Sequence, residues 1–193
     1  MNSTIYLITD GEMTAQNFAE KSSETLNLIT KAVDAKISLI QIREKQLSAK
    51  LVFELALQAA KITKNSNTKL LINDRADIAL AANADGVHLT ANSLSAKIIR
   101  ANFPKNFIIG VSAHTLEKAN EAKENGADFA TFSPIFYSPN KGKPIGLDAL
   151  REVCAKLKPF PIIALGGIDE TNYREVLQIA DGFAAIRFFK GNF

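Results

Sequence analysis

The chain has 193 residues, 47% of them hydrophobic and 22% charged, which supports one sizeable core and argues against disorder. A formal net charge of +3, with lysines and glutamates interspersed, excludes a basic nucleic-acid platform. Cys154 has no second cysteine to pair with, the start MNSTIYLITDGEM does not read as a signal peptide, and no uncharged apolar run approaches a membrane span. The expectation is a cytoplasmic protein acting on small molecules, with no nucleic acid and no membrane as partners.

Short apolar runs recur along the chain. In order they are IYLIT from Ile5, SLIQI from Ser38, KLLIN from Lys69 and GVHL from Gly86. Then follow FIIGVS from Phe107, FATF from Phe129, PIIAL from Pro161 and GFAAI from Gly182. Most lack strict polar alternation, which suits strands covered on both faces in a parallel sheet. Helical spacing fills the gaps: Leu51, Leu55, Ala59 and Ile62 share one face, as do Leu150, Val153, Cys154 and Leu157. Ser48, Thr115 and Asp169 stand where N-caps belong. Eight strand candidates alternating with helices predict a single (β/α)8 TIM barrel over residues 1–193, with a doubly wound open sheet as the alternative. Only Arg187 to Phe193 follow the eighth strand, so the eighth helix is truncated or missing. An uncovered apolar flank would then favour a homodimer, unless Phe188, Phe189 and Phe193 fold back over it.

In such a barrel the loops after the strands gather on the face that carries the active site. Strand two ends in QIREK, where alternation puts Gln41, Arg43 and Lys45 on one side. That pairing of Arg and Lys suits phosphate or pyrophosphate; the alternative is a solvated charge cluster paired with Glu44. Strand three ends in Asn73-Asp74-Arg75, where Asp74 offers a carboxylate for Mg²⁺ or a cap for the next helix. His88 ends strand four and reads as a structural, hydrogen-bonded ring. Ser112 and His114 end strand five, and an imidazole there is a natural proton shuttle near neutral pH. The long loop from Ser133 to Leu147 reads as a shaped lid bearing Ser138 and Lys141, or as a structural loop. Gly166 and Gly167 after strand seven allow close backbone approach to a phosphate, and Arg187 either supports that phosphate or pairs with an acid.

The motifs QIREK, INDRADIAL, ADGVHL, IGVSAHT, GADFATFSPIF, ALGGI and ADGFAAI resemble, in that order, the thiamin phosphate synthase and TenI family. The resemblance implies a (β/α)8 barrel and one of two chemistries. A synthase joins a pyrimidine diphosphate to a thiazole phosphate and uses Mg²⁺ to hold the departing pyrophosphate. A TenI-like tautomerase aromatises a carboxythiazole phosphate by proton transfer, without a cofactor. On this resemblance Gln41, Asn73 and Ser112 contact the pyrimidine, Arg43, Lys45 and Lys141 the pyrophosphate, and Asp74 the Mg²⁺. Gly167, with the backbone near Ile186 and Arg187, matches the thiazole phosphate site, and His114 matches the tautomerase acid/base.

Three departures shift the expectation. Ser93 stands where synthases carry a second metal-binding Asp, and it reads instead as an N-cap for LSAKIIRANF. Asn140 replaces a usual Thr, and Arg187 a usual Ser. The reading drawn from them is a TenI-like thiazole tautomerase. A Mg²⁺-dependent synthase and a non-catalytic binder of thiamin precursors are the alternatives.

Overall fold

In the computed structural model, which describes residues 3–139 and 141–189, each apolar run becomes a strand. The strands are β1 (Thr4–Ile8), β2 (Leu39–Ile42), β3 (Lys69–Asn73), β4 (Gly86–Leu89), β5 (Ile108–Ala113), β6 (Phe129–Phe132), β7 (Ile162–Leu165) and β8 (Gly182–Ala185). Each runs parallel to the next, and β8 returns to β1 with Ala184 opposite Tyr6. The sheet therefore closes into a barrel, and the open-sheet alternative falls. The connections hold α1 (Phe18–Asp34), α2 (Ala49–Thr63), α3 (Ala76–Ala81), α4 (Ala96–Asn102), α5 (Leu116–Glu124), α6 (Gly146–Leu157) and α7 (Tyr173–Leu177). No eighth helix occurs among the described residues. None of the helices is long and apolar enough to cross a membrane.

Strand alternation divides the apolar residues into two cores. Outward positions such as Leu7, Ile40, Leu70, Ile109 and Phe183 join the helices in a shell around the barrel. Inward positions fill the barrel itself with Tyr6, Ile8, Leu39, Leu71, Phe129, Ile163 and Ala184. Gly110 makes room for this filling. A Cβ there would meet the Phe129 ring at 2.4 Å and His88 Nδ1 at 2.9 Å.

Of the predicted helix faces α6 falls as expected and α2 shifts, and two of the expected caps move. Leu150, Val153, Cys154 and Leu157 of α6 are all buried, and burial pushes the Cys154 thiol up to about 12, as expected of an inert core residue. In α2 the buried face runs through Val52, Leu55, Ala56 and Ala59, leaving Leu51 and Ile62 on its half-buried flanks. Ser48 and Thr115 cap their helices, accepting from the N–H groups of Leu51 and Lys118. Ser93 does not cap α4; Ser95 does, accepting from Ile98 N. Asp169 does not cap α7 either. Its carboxylate takes the N–H and hydroxyl of Thr171, and the helix begins after Asn172.

At the face opposite the strand ends, one device repeats every two strands. Asp85, Asp128 and Asp181 each precede an even-numbered strand and accept the N–H of Leu70, Ile109 and Ile162 on the preceding strand. At the closing flank Phe188 meets Phe183 edge-on at 5.0 Å and Tyr173 at 5.5 Å, while Phe189 is buried. The large exposed hydrophobics among the described residues are Leu80, Leu94, Ile98 and Tyr137. The homodimer expectation thus loses its premise of an uncovered flank beside β8; Phe193 lies outside the described residues.

Candidate functional site

The carboxyl ends of the strands surround one cavity of about 260 Å³. Gln41, Arg43 and Lys45 reach it from β2, Asn73 from β3, and Ser112 and His114 from the end of β5. Ser138 and Lys141 reach it from the lid, Gly166 from β7 and Ile186 from β8. Gly167 and Arg187 sit just outside, in a recess of about 70 Å³ that shares Ser138, Gly166 and Ile186 with the cavity. Asp74 lines neither space.

The strand-two cations are not a self-neutralised cluster. Glu44 turns away from the cavity, is buried, and accepts from Thr9 Oγ1 at 2.6 Å, Met13 N at 3.1 Å and Gly11 N at 3.3 Å. It fastens the loop after β1, and burial raises its carboxyl against those hydrogen bonds. Among the described residues the ion pairs lie elsewhere, so Arg43, Lys45, Lys141 and Arg187 meet no carboxylate. Four cations at one mouth suit phosphate oxygens. Arg75, by contrast, turns to the surface and pairs with Asp77.

The two imidazoles differ sharply. His88 is buried between the Tyr6 hydroxyl, 3.2 Å from Nδ1, and the Ser112 hydroxyl, 2.9 Å from Nε2. Burial pushes it down to about 4; Asp74 pulls it back up and Arg43 adds to the depression. His114 is exposed, with Nδ1 2.7 Å from the Ser133 carbonyl. A carbonyl can only accept, so Nδ1 carries the proton and the neutral ring keeps Nε2 as a base.

Asp74 takes a left-handed backbone conformation, φ 58°, and its Oδ1 accepts three donors. They are Thr90 N at 3.1 Å, Thr90 Oγ1 at 2.9 Å and Ser93 Oγ. Oδ2 accepts from Asn73 Nδ2 at 2.8 Å. Ser93, expected as a helix cap, is thus a partner of Asp74, and Asp74 does not cap α3. Both oxygens of the carboxylate are engaged, and no group of three His, Cys, Asp or Glu able to hold a metal occurs among the described residues. A hard cation wants free oxygen ligands. Asp74 is thus the one carboxylate beside Ser93, and the residues present do not fit a Mg²⁺ held by two carboxylates.

Gly167 shapes the smaller recess. It sits at φ 66°, and a Cβ would fall 2.4 Å from the Tyr137 carbonyl oxygen. The lid is tied at its base, with Ile135 and Phe136 donating to the carbonyls of Leu165 and Gly166 at 2.9 Å. Ile145 N closes it onto Pro134 O at 2.8 Å. Asn140 lies outside the described residues.

The sequence reading missed Tyr6 and Thr90. Tyr6 looks like one more apolar strand residue, and only its inward phase, two residues before Ile8, signals that its hydroxyl meets His88. Thr90 belongs to no motif with an obvious chemistry.

Comparisons with known proteins agree on one family. The family model described as "Thiamine monophosphate synthase" matches residues 5–189. The thiamine-phosphate synthase of Alkaliphilus oremlandii is 34% identical over 190 residues, covering 97% of this chain and 88% of the relative. That of Clostridium acetobutylicum is 37% identical over 185 residues, covering 94% and 84%. Among solved structures, the thiamine phosphate pyrophosphorylase of Pyrococcus furiosus superposes with a TM-score of 0.82 at 31% identity, covering 95% of this chain and 85% of that one.

Proposed function

The chain belongs to the thiamine monophosphate synthase and TenI family, and from that premise we propose that it is a thiamine-phosphate synthase. The observation that carries this reading is the set of unpaired cations at one cavity: Arg43, Lys45 and Lys141. The coupling breaks the bond between a pyrimidine's exocyclic carbon and its diphosphate oxygen, and the carbon bonds to a thiazole nitrogen. Charge develops on the departing pyrophosphate, and these side chains stabilise it where it forms. Gln41, Asn73 and Ser112 hold the pyrimidine, while Gly167, Ile186 and Arg187 hold the thiazole phosphate. The relatives' names support this over the tautomerase expected from the sequence. No step is assigned to a metal.

Asp74 favours a second reading. Its engaged carboxylate suits a reaction that needs no metal, and His114, with Nε2 free to take a proton, is equipped for a TenI-like thiazole tautomerase. Purified protein should be offered both reactant sets, with and without added Mg²⁺. Pyrophosphate release is expected. Aromatisation of a carboxythiazole phosphate without pyrophosphate release would replace the synthase by the tautomerase, and tight binding without turnover would replace both by a non-catalytic binder.

A further inference from the structure

Gln41 Nε2 donates to the Tyr6 hydroxyl oxygen at 2.8 Å, deep in the barrel. An amide nitrogen cannot accept, so the Tyr6 hydrogen must go to its other neighbour, His88 Nδ1, 3.2 Å away. A neutral imidazole then carries its one proton on Nε2, which lies 2.9 Å from Ser112 Oγ. With an acceptor role imposed on Ser112 Oγ, its own hydrogen is left for the cavity that Ser112 lines. The chain of four groups has one direction, and each bond fixes the next. Phe129 holds the rings in place, edge-on to Tyr6 with centroids 5.7 Å apart and 6.0 Å from His88.

We infer that Tyr6 and His88 are positioning residues that orient the Ser112 hydroxyl as a donor toward bound substrate. The substrate atom at Ser112 is consequently an acceptor, a ring nitrogen or a diphosphate oxygen. If the direction were reversed, with Nδ1 protonated, Ser112 would turn its hydrogen onto Nε2 and present only lone pairs. The inference rests on reading the cavity as the substrate site, but its first test does not.

Long-range ¹H–¹⁵N spectra of the unliganded protein should show His88 as the Nε2-protonated tautomer. The Nδ1-protonated form overturns the inference whatever the protein's activity. The second test is a double-mutant cycle on KM for hydroxymethylpyrimidine diphosphate. Tyr6→Phe keeps the ring and removes the hydrogen, and KM should rise about tenfold, roughly 1.4 kcal/mol, with a smaller change in kcat. In a Ser112→Ala background the same change should add almost nothing, because Tyr6 acts through Ser112. An equal penalty in both backgrounds marks a merely structural tyrosine and overturns the inference. Should Tyr6→Phe fail to fold, or the protein not turn over this substrate, the tautomer of the native protein decides alone.

Discussion

Acidification tests the buried imidazole most directly. His88 ionises at about 4 in the folded chain because burial penalises its charged form, against an ordinary value of 6.5. Between those values the unfolded chain binds more protons than the folded one. The His88 contribution to stability is therefore fully present above 6.5 and is lost as the pH falls toward 4. At about 1.36 kcal/mol per pH unit the loss is capped near 3 kcal/mol, and about 2 kcal/mol of it falls between roughly pH 7 and pH 5. Glu44 acts with the opposite sign. Its raised carboxyl lets the folded chain take up a proton first, so its contribution grows on acidification. A variant comparison cancels that term. Urea or thermal unfolding of the native chain and of His88→Gln, each at pH 7 and pH 5, should show the native chain losing about 2 kcal/mol more. In a chain of this length that is roughly 4–8 °C in Tm. Parallel pH profiles for the two proteins would refute the account of His88 as a neutral, buried ring.

The remaining predictions concern the mouth. His114→Ala should leave coupling within about tenfold of native, since that bond exchange needs no proton transfer at carbon; a loss of roughly 10²-fold would assign the chemistry to the imidazole instead. Gly167→Ala should raise KM for the thiazole phosphate about tenfold or more, because a Cβ at φ 66° also strikes the Tyr137 carbonyl. An unchanged KM would remove the recess from the substrate site. Ser93→Asp sets a second carboxylate against Asp74, and millimolar Mg²⁺ should raise its Tm by several degrees while leaving the native chain unmoved; equal Mg²⁺ shifts would show that Asp74 can already bind the ion.

The barrel was legible because buried parallel strands leave a coarse signal. Each run from IYLIT to GFAAI became a strand, since no other element hides so many consecutive apolar residues in so short a span. The mouth was legible for a related reason: polar residues at the ends of such strands have one face to reach, and Gln41, Asn73, Ser112 and His114 all reach it. Fine placement was not. Ser93 and Ser95 are two residues apart, and either can precede a helix in sequence; only the loop's path gives the cap to Ser95 and turns Ser93 onto Asp74. Glu44 looks like the natural partner of Arg43 and Lys45, yet alternation sends it to the opposite side of the strand, where Thr9 and Met13 take it up. At the closing flank a residue count left two outcomes open, and the packing of Phe188 on Phe183 and Tyr173, with Phe189 against Phe188, is the kind of fit that such a count cannot read.

The mouth divides into two walls that different physics holds in place. On one wall Gln41, Tyr6, His88 and Ser112 satisfy one another in series, and Asp74 is closed off by Thr90 and Ser93. In a low-dielectric interior such a series is fixed before any ligand arrives, so it selects by hydrogen-bond direction rather than by charge. The other wall is cationic, with Lys141 on the long lid, Arg187 after β8, and Arg43 and Lys45 after β2, and none of these meets a carboxylate among the described residues. Their charge stays available to an anion, at the cost of mutual repulsion that the anion relieves. A molecule with a flat polar ring and a phosphorylated end satisfies both walls at once, the ring on the directed side and the phosphates on the cationic side. Ser93 matters to this division because it closes Asp74. In the proposed synthase, with Asp74 engaged, neutralising the phosphates falls to the lysines and arginines, and that is where a change of reaction within this fold would have to act.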